Sequence, residues 1–324
     1  MAEETAQPGR HCPLSYRSRA SDLAHLTPLH TASCYLVGGL YGNLEALDAI
    51  EALAAHEARL HHTPPRLIFN GDFHWFDAET AWFVELQRRV SAHRTMLGNV
   101  EAELVSPQPG VGCGCAYPAT TAEQTVQWSN AIMARLQQTA QGCTDELAWL
   151  ASLPRQYRVQ VGSCRIGVVH GDPDSLAGWG LDLDSMPAIG EIHPQLATWF
   201  RDAEVDLLAS SHTCRAFAQS FPGVGAVFNN GAAGMPNFSA DSRILITRVA
   251  QRPLSLPEGH QRIYAIELAG ACVEAILLPW DRAGFLRRFD QVWPTGSAAA
   301  QSYRRRITDG PAHHQDQAKR LIGR

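Results

Sequence analysis

Cys34-Tyr35-Leu36-Val37-Gly38-Gly39-Leu40-Tyr41-Gly42-Asn43, followed by Leu44, Leu47, Ile50 and Leu53 at helical spacing, reads as a strand, a glycine turn and a helix. Asn43 is a good N-cap, and the early acids Glu45 and Asp48 suit the positive end of the helix. The same unit recurs. Arg66-Leu67-Ile68-Phe69 runs into Asn70-Gly71-Asp72, a helix is predicted from about Ala78 to Val90, and a third strand, Arg94 to Leu97, ends at Gly98-Asn99. Alternating strands and helices predict a largely parallel, buried sheet with crossover helices. In such a sheet, functional residues collect at the C-terminal ends of the strands.

Residues 102 to 145 break the rhythm with a Pro/Gly/Cys-rich loop (Pro107 to Pro118) and a helical stretch, and read as an insertion beside the strand ends. Gly162-Ser163 between two apolar runs signals a hairpin, whose second strand ends at His170-Gly171-Asp172. A short helix near Pro194 to Arg201 leads to Val205 to Leu208 and then Ser211-His212-Thr213-Cys214. The last third is rich in strands up to about residue 281. The organisation is thus an irregular N-terminal arm (1–33), a main domain (34–281) with the insertion, and a polar, helical C-terminal tail (282–324).

With 45% hydrophobic and 18% charged residues among 324, the balance is that of an ordinary globular chain. A formal charge of -5 gives no general attraction for nucleic acid or anionic membranes. The N-terminus lacks the apolar run of a signal peptide, and the most apolar stretch, Ile263 to Leu278, is broken by Glu267 and Glu274. Eight scattered cysteines suit reduced thiols in a cytoplasm, and Cys113-Gly114-Cys115 reads as a turn holding two buried thiols.

Asp72, Asn99, His170 and His212 each stand where an apolar strand stops, beside glycine or a small residue. A carboxylate, an amide oxygen and two imidazoles delivered to one edge would suit a divalent transition metal, Mn, Fe or Zn, better than Ca. A single histidine at a strand end is more often a hydrogen-bonded structural residue, so the weight lies in the joint pattern.

That pattern, with Gly39-x-Tyr41-Gly42-Asn43, Gly71-Asp72, Gly98-Asn99-Val100-Glu101, His170-Gly171 and His212-Thr213-Cys214, resembles the motif ladder of the calcineurin-like metallophosphoesterases. The family reads D-x-H-G-N, G-D, G-N-H-[DE], H-G and G-H-T-H in this order, and Asn230 to Pro236 resembles the N-P-G-S-x-G-x-P loop of its compact bacterial branch. The resemblance implies a four-layer αββα sandwich with two central mixed sheets. It also implies that one metal would be held by Asp72, Asn99, His170 and His212. The other family site reads Gly39, Tyr41, Asp72 and Cys214 here, keeping a single ligand of the usual kind, with Cys214 as a possible extra ligand. The expected cofactor is therefore one divalent transition metal, since a second cation would lack charge compensation.

Further candidates follow from the departures. The family's assisting histidine is replaced by Val100, and His74 or Tyr41 could stand in as acid or hydrogen-bond donor beside Asp72. Backbone N–H groups of the turn at Gly39 and Asn43 could hold an anion at a helix N-terminus, and Arg215 could clamp phosphate. Asp77 and Asp172 could orient a histidine or water. For each of these the plain alternative is a packing or solvated residue. The functional reading is a metal-dependent phosphatase or phosphodiesterase acting on a small phosphorylated substrate. An inactive relative that binds a phosphorylated ligand or protein is the alternative, and a dinucleotide-binding Rossmann protein is the weaker third, because the full G-x-G-x-x-G is absent.

Overall fold

The computed structural model describes residues 7–322. The strands are β1 (Leu29–Thr31), β2 (Ser33–Val37), β3 (Arg66–Asn70), β4 (Arg94–Met96), β5 (Gln156–Val161), β6 (Cys164–Val169), β7 (Leu207–Ser210), β8 (Phe217–Phe221), β9 (Gly225–Asn229), β10 (Ile244–Ala250), β11 (Gln261–Leu268), β12 (Ala271–Leu278) and β13 (Lys319–Arg320). The helices are α1 (Ala20–His25), α2 (Leu44–His61), α3 (Thr80–Val90), α4 (Asn99–Val105), α5 (Glu123–Ala140), α6 (Thr144–Ala151), α7 (Pro194–Ala203), α8 (Arg282–Val292), α9 (Ala298–Asp309) and α10 (Gln315–Ala318).

Period-two alternation in the strands dictates the layers. In β2, Tyr35 and Val37 join the core formed with α2, α3 and α5, whereas Cys34 and Leu36 face a second core shared with β5, β6, β7 and β9. β2 is therefore buried on both faces, which is why it reads as an unbroken apolar run. One mixed sheet has the order β11-β12-β10-β2-β3-β4 and the other β1-β5-β6-β7-β9-β8-β13. The outer face of the second sheet is covered by α7 and α1 through Leu196, Phe200 and Leu23. The result is the four-layer αββα sandwich. Pairing is parallel for β2–β3–β4 and for β6–β7–β9, so the ends of β3, β4, β6 and β7 open on one edge.

Two segments do more than their composition suggests. The stretch before residue 34 is not wholly irregular: β1 pairs in parallel with β5, and α1 packs on the second core. The C-terminal residues return to the same sheet, where β13 pairs with β8. Among the described residues no helix is long and apolar enough to cross a membrane.

Candidate metal centre

Asp72, His170 and His212 are buried at that common edge, with one ligating atom from each lying within 4.8 Å of the others. Asn99 completes the group, its Oδ1 lying 3.1 Å from His170 Nε2. Each neutral donor is anchored at its far end on a backbone carbonyl. His170 Nδ1 lies 2.8 Å from the Asn70 oxygen, His212 Nε2 lies 3.0 Å from that of Cys115, and Asn99 Nδ2 donates to that of Cys113 at 3.1 Å. With protons on those outer nitrogens, His170 Nε2, His212 Nδ1 and Asn99 Oδ1 present lone pairs to one point. Such outer partners fix the tautomer and ring orientation of metal-binding histidines. The donor set thus fits a divalent transition metal.

Electrostatics set the two histidines apart. Burial works against the charged forms of both Asp72 and His170, yet their contact at 3.2 Å holds the Asp72 carboxyl below its ordinary value and lifts His170 above its own. Burial and the neighbouring charge on His170 push His212 down to about 4, so it is a neutral donor at pH 7.

Glu101 braces this arrangement, a role the sequence reading did not assign. Its carboxylate accepts the backbone N–H groups of Asp72 (2.8 Å), Gly98 (2.8 Å) and His74 (3.1 Å), while Asp72 Oδ1 accepts that of Val100 (3.2 Å). Burial and then the charge of Asp72 push Glu101 up to about 7. The brace matters because Asp72 has φ 52°, the left-handed region that side chains avoid. Tyr41 (φ 54°) and Cys214 (φ 55°) share that conformation, so three strained residues meet at this edge.

Beside this group, the space over Gly39 is filled. A Cβ on Gly39 would fall within the Tyr41 ring, at Cζ and the hydroxyl, so the phenol occupies the place of a side chain at 39. Tyr41 OH lies 2.7 Å from Cys214 Sγ, and that sulfur stands outside the Asp72–His170–His212 group. Burial raises both the phenol and the thiol, which keeps them protonated at neutral pH.

Several expected roles do not fit the structure. His74 does not face the centre: its Nδ1 contacts Asp77 Oδ2 at 2.6 Å, its Nε2 lies 3.3 Å from Gln87 Oε1, and its ring stacks on Phe83. Both nitrogens are engaged in the core, so the ring is held away from any leaving group at the centre. The glycine turn has three of its N–H groups already engaged. The N–H groups of Tyr41, Gly42 and Asn43 donate to Asp72, Phe73 and Leu40 carbonyls, and Asn43 caps α2 through Ala46 N while its Nδ2 donates to the Gly234 carbonyl. Arg215 is turned to Asp182 (3.2 Å) and Asp184 (2.6 Å). Asp172 accepts the N–H groups of Asp174 and Gly180 within its own loop. The sulfurs of Cys113 and Cys115 face each other across Gly114, in a buried turn. Their loop is a lid whose carbonyls orient Asn99 and His212, and Trp179 Nε1 adds a bond to the Cys115 oxygen at 3.0 Å. The Pro/Gly/Cys composition signalled a loop, but its carbonyl donors have no side-chain signature.

No family model matches the chain, and no curated protein matches it in sequence. Among solved structures it is similar to a hypothetical protein from Pyrococcus horikoshii OT3, at 13% identity over 87% of this chain and 100% of that one, with a TM-score of 0.56. It is also similar to a metallophosphoesterase from Sphaerobacter thermophilus, at 14% identity over 86% of this chain and 99% of that one, with a TM-score of 0.51. Likeness of this degree fixes the fold.

Proposed function

We propose that this chain, which has the calcineurin-like metallophosphoesterase fold, is a metal-dependent phosphoesterase working with one metal held by Asp72, Asn99, His170 and His212. The observation that carries the reading is the convergence of these four buried donors, each neutral one anchored behind by a carbonyl. A divalent metal bound there would polarise a phosphoryl oxygen and lower the pKa of a bound water. The chain's own residues set the rest. Asp72 supplies the negative charge of the ligand set, and Glu101 holds its backbone in place. The Cys113–Cys115 lid and Trp179 keep bulk water from the histidines, which strengthens electrostatic interactions at the site. Tyr41 and Cys214 offer a neutral hydrogen-bonding wall on the other side. The substrate class is a small phosphate ester.

The test is metal analysis of the purified protein beside a panel of phosphatase and phosphodiesterase substrates, repeated with Asp72→Asn and His212→Ala. Bound metal near one equivalent, with turnover lost in both variants, is expected. Absence of metal, or turnover unchanged in both variants, sinks the proposal. Metal bound without turnover on any substrate would favour the inactive relative that binds a phosphorylated ligand.

A further inference from the structure

Helix α9 carries three consecutive arginines with different fates. Arg304 pairs with Asp290 at 2.9 Å, and the exposed Arg305 reaches Asp309 at 3.9 Å. Arg306 turns inward instead, and its Nη2 donates to the Cys214 carbonyl at 2.9 Å. Its Nε is buried and has no partner among the described residues, and no carboxylate among them lies within 4.0 Å of its guanidinium. A half-buried guanidinium without a counter-ion is costly, because a charge removed from water is tolerated when paired and hydrogen-bonded. The place of this charge is specific. Cys214 is two residues from His212, and its sulfur bonds the Tyr41 hydroxyl, so Arg306 stands on the side where the ligand set is missing.

We propose that Arg306 is the anion-binding residue of this site, donating its remaining Nη N–H groups to a phosphoryl oxygen on the side opposite the Asp72–His170–His212 group. The inference rests on the reading of that group as a metal centre and adds the substrate's second electrostatic partner. A two-metal site clamps a phosphoryl group between two cations. Here Gly39, Tyr41 and Cys214 bring no charge, and Arg306 supplies a fixed positive one with a fork matched to phosphate oxygens. The bound phosphate in turn supplies the counter-ion that Arg306 lacks. Arg215, singled out by its place after the last motif, has two aspartates already. The signal that distinguishes the two arginines is pairing, which only the folded chain reveals.

The experiment is calorimetric titration of inorganic phosphate into Mn-loaded protein at low salt, for wild type, Arg306→Gln, Arg306→Lys and Arg305→Gln. Arg306→Gln is expected to weaken phosphate roughly 10- to 100-fold, the range of one charge-assisted contact. Arg306→Lys keeps the charge but loses the fork, and should fall several-fold, while Arg305→Gln should match wild type. Mn stoichiometry is expected to be the same in all four. Wild-type phosphate affinity in Arg306→Gln overturns the inference and leaves the metal reading standing, as does loaded wild type that takes no phosphate. If Arg306→Gln does not fold, unchanged affinity in Arg306→Lys overturns it. If wild type takes no Mn, the metal reading falls, and titration of the metal-free proteins decides the anion site: phosphate binding that depends on Arg306 supports it, and its absence removes it.

Discussion

Glu101 offers the sharpest test of how this site is held. Its carboxylate accepts three buried N–H groups, and one of them, from Asp72, belongs to a residue in the left-handed region. Glu101→Ala leaves all three donors without an acceptor. At about 1–3 kcal/mol for each buried group left unsatisfied, and with water able to enter the vacated space, the lower part of the sum is the fair expectation: about 3–5 kcal/mol. Glu101→Gln separates geometry from charge. Its oxygen can serve the Asp72 and Gly98 N–H groups, but its NH2 would face the His74 N–H, so a loss of about 1–3 kcal/mol is expected. Urea denaturation at pH 8, above the value of about 7 to which burial raises Glu101, measures both variants against the ionised wild type. The order should be wild type, Gln, Ala, with unchanged m-values, and Mn affinity should fall in the same order because Asp72 loses its backbone support. A loss below about 1 kcal/mol in Glu101→Ala would refute the brace, since the three bonds would then have been replaced at no cost.

Metal binding should release a proton. Asp72 holds the His170 imidazolium above its ordinary value, and a bound metal needs the neutral ring, so affinity should rise with pH through the raised His170 pKa and level off above it. Calorimetry in buffers of different ionisation enthalpy reads the proton directly, and affinity independent of pH would contradict the His170–Asp72 pair. Gly39→Asp alone should destabilise the fold, because its Cβ meets the Tyr41 ring. Combined with Tyr41→His and Cys214→His it should raise the metal stoichiometry from about one to about two, and a triple variant still at one would show that the loss lies in more than these three positions. Asn43→Ala removes a cap and orphans the Gly234 carbonyl, for roughly 2–3 kcal/mol by thermal or urea unfolding.

What could be read from the sequence was what repeats or alternates. The strand, turn and helix at Cys34–His61 was legible because both periods are written in side chains, and Asn43 caps α2 as its place before Leu44 predicts. The ladder of Asp72, Asn99, His170 and His212 was legible because each ends a buried strand. The rest rests on contacts that residue type does not encode. His74 looked like an acid beside Asp72, but its neighbour three residues on, Asp77, and Phe83 of α3 draw it into the core. The glycine turn reads as open, yet the N–H groups of Tyr41, Gly42 and Asn43 are bonded to carbonyls of residues 72, 73 and 40. The Cys113–Cys115 lid contributes through backbone oxygens, and β1 and β13 are too short to carry a periodic pattern.

The altered half of the site makes chemical sense as a unit. A cysteine in a ligand position usually suggests a soft metal, but the nucleophile and ligand is the thiolate. Cys214 is buried, its thiol is raised, and its partner is the similarly raised Tyr41 hydroxyl, so the pair is two neutral groups satisfying each other. A second cation placed there would keep Asp72 as its sole charged ligand and would have to strip a proton from a desolvated thiol. Gly39 follows from the same arrangement, since any side chain at 39 would displace the phenol that Cys214 needs. Gly39, Tyr41 and Cys214 therefore act as one unit, two neutral groups closed on each other by a hydrogen bond. The positive charge that a phosphoryl group would still require must come from a residue outside the motif ladder, and Arg306 on α9 reaches the Cys214 carbonyl from such a position.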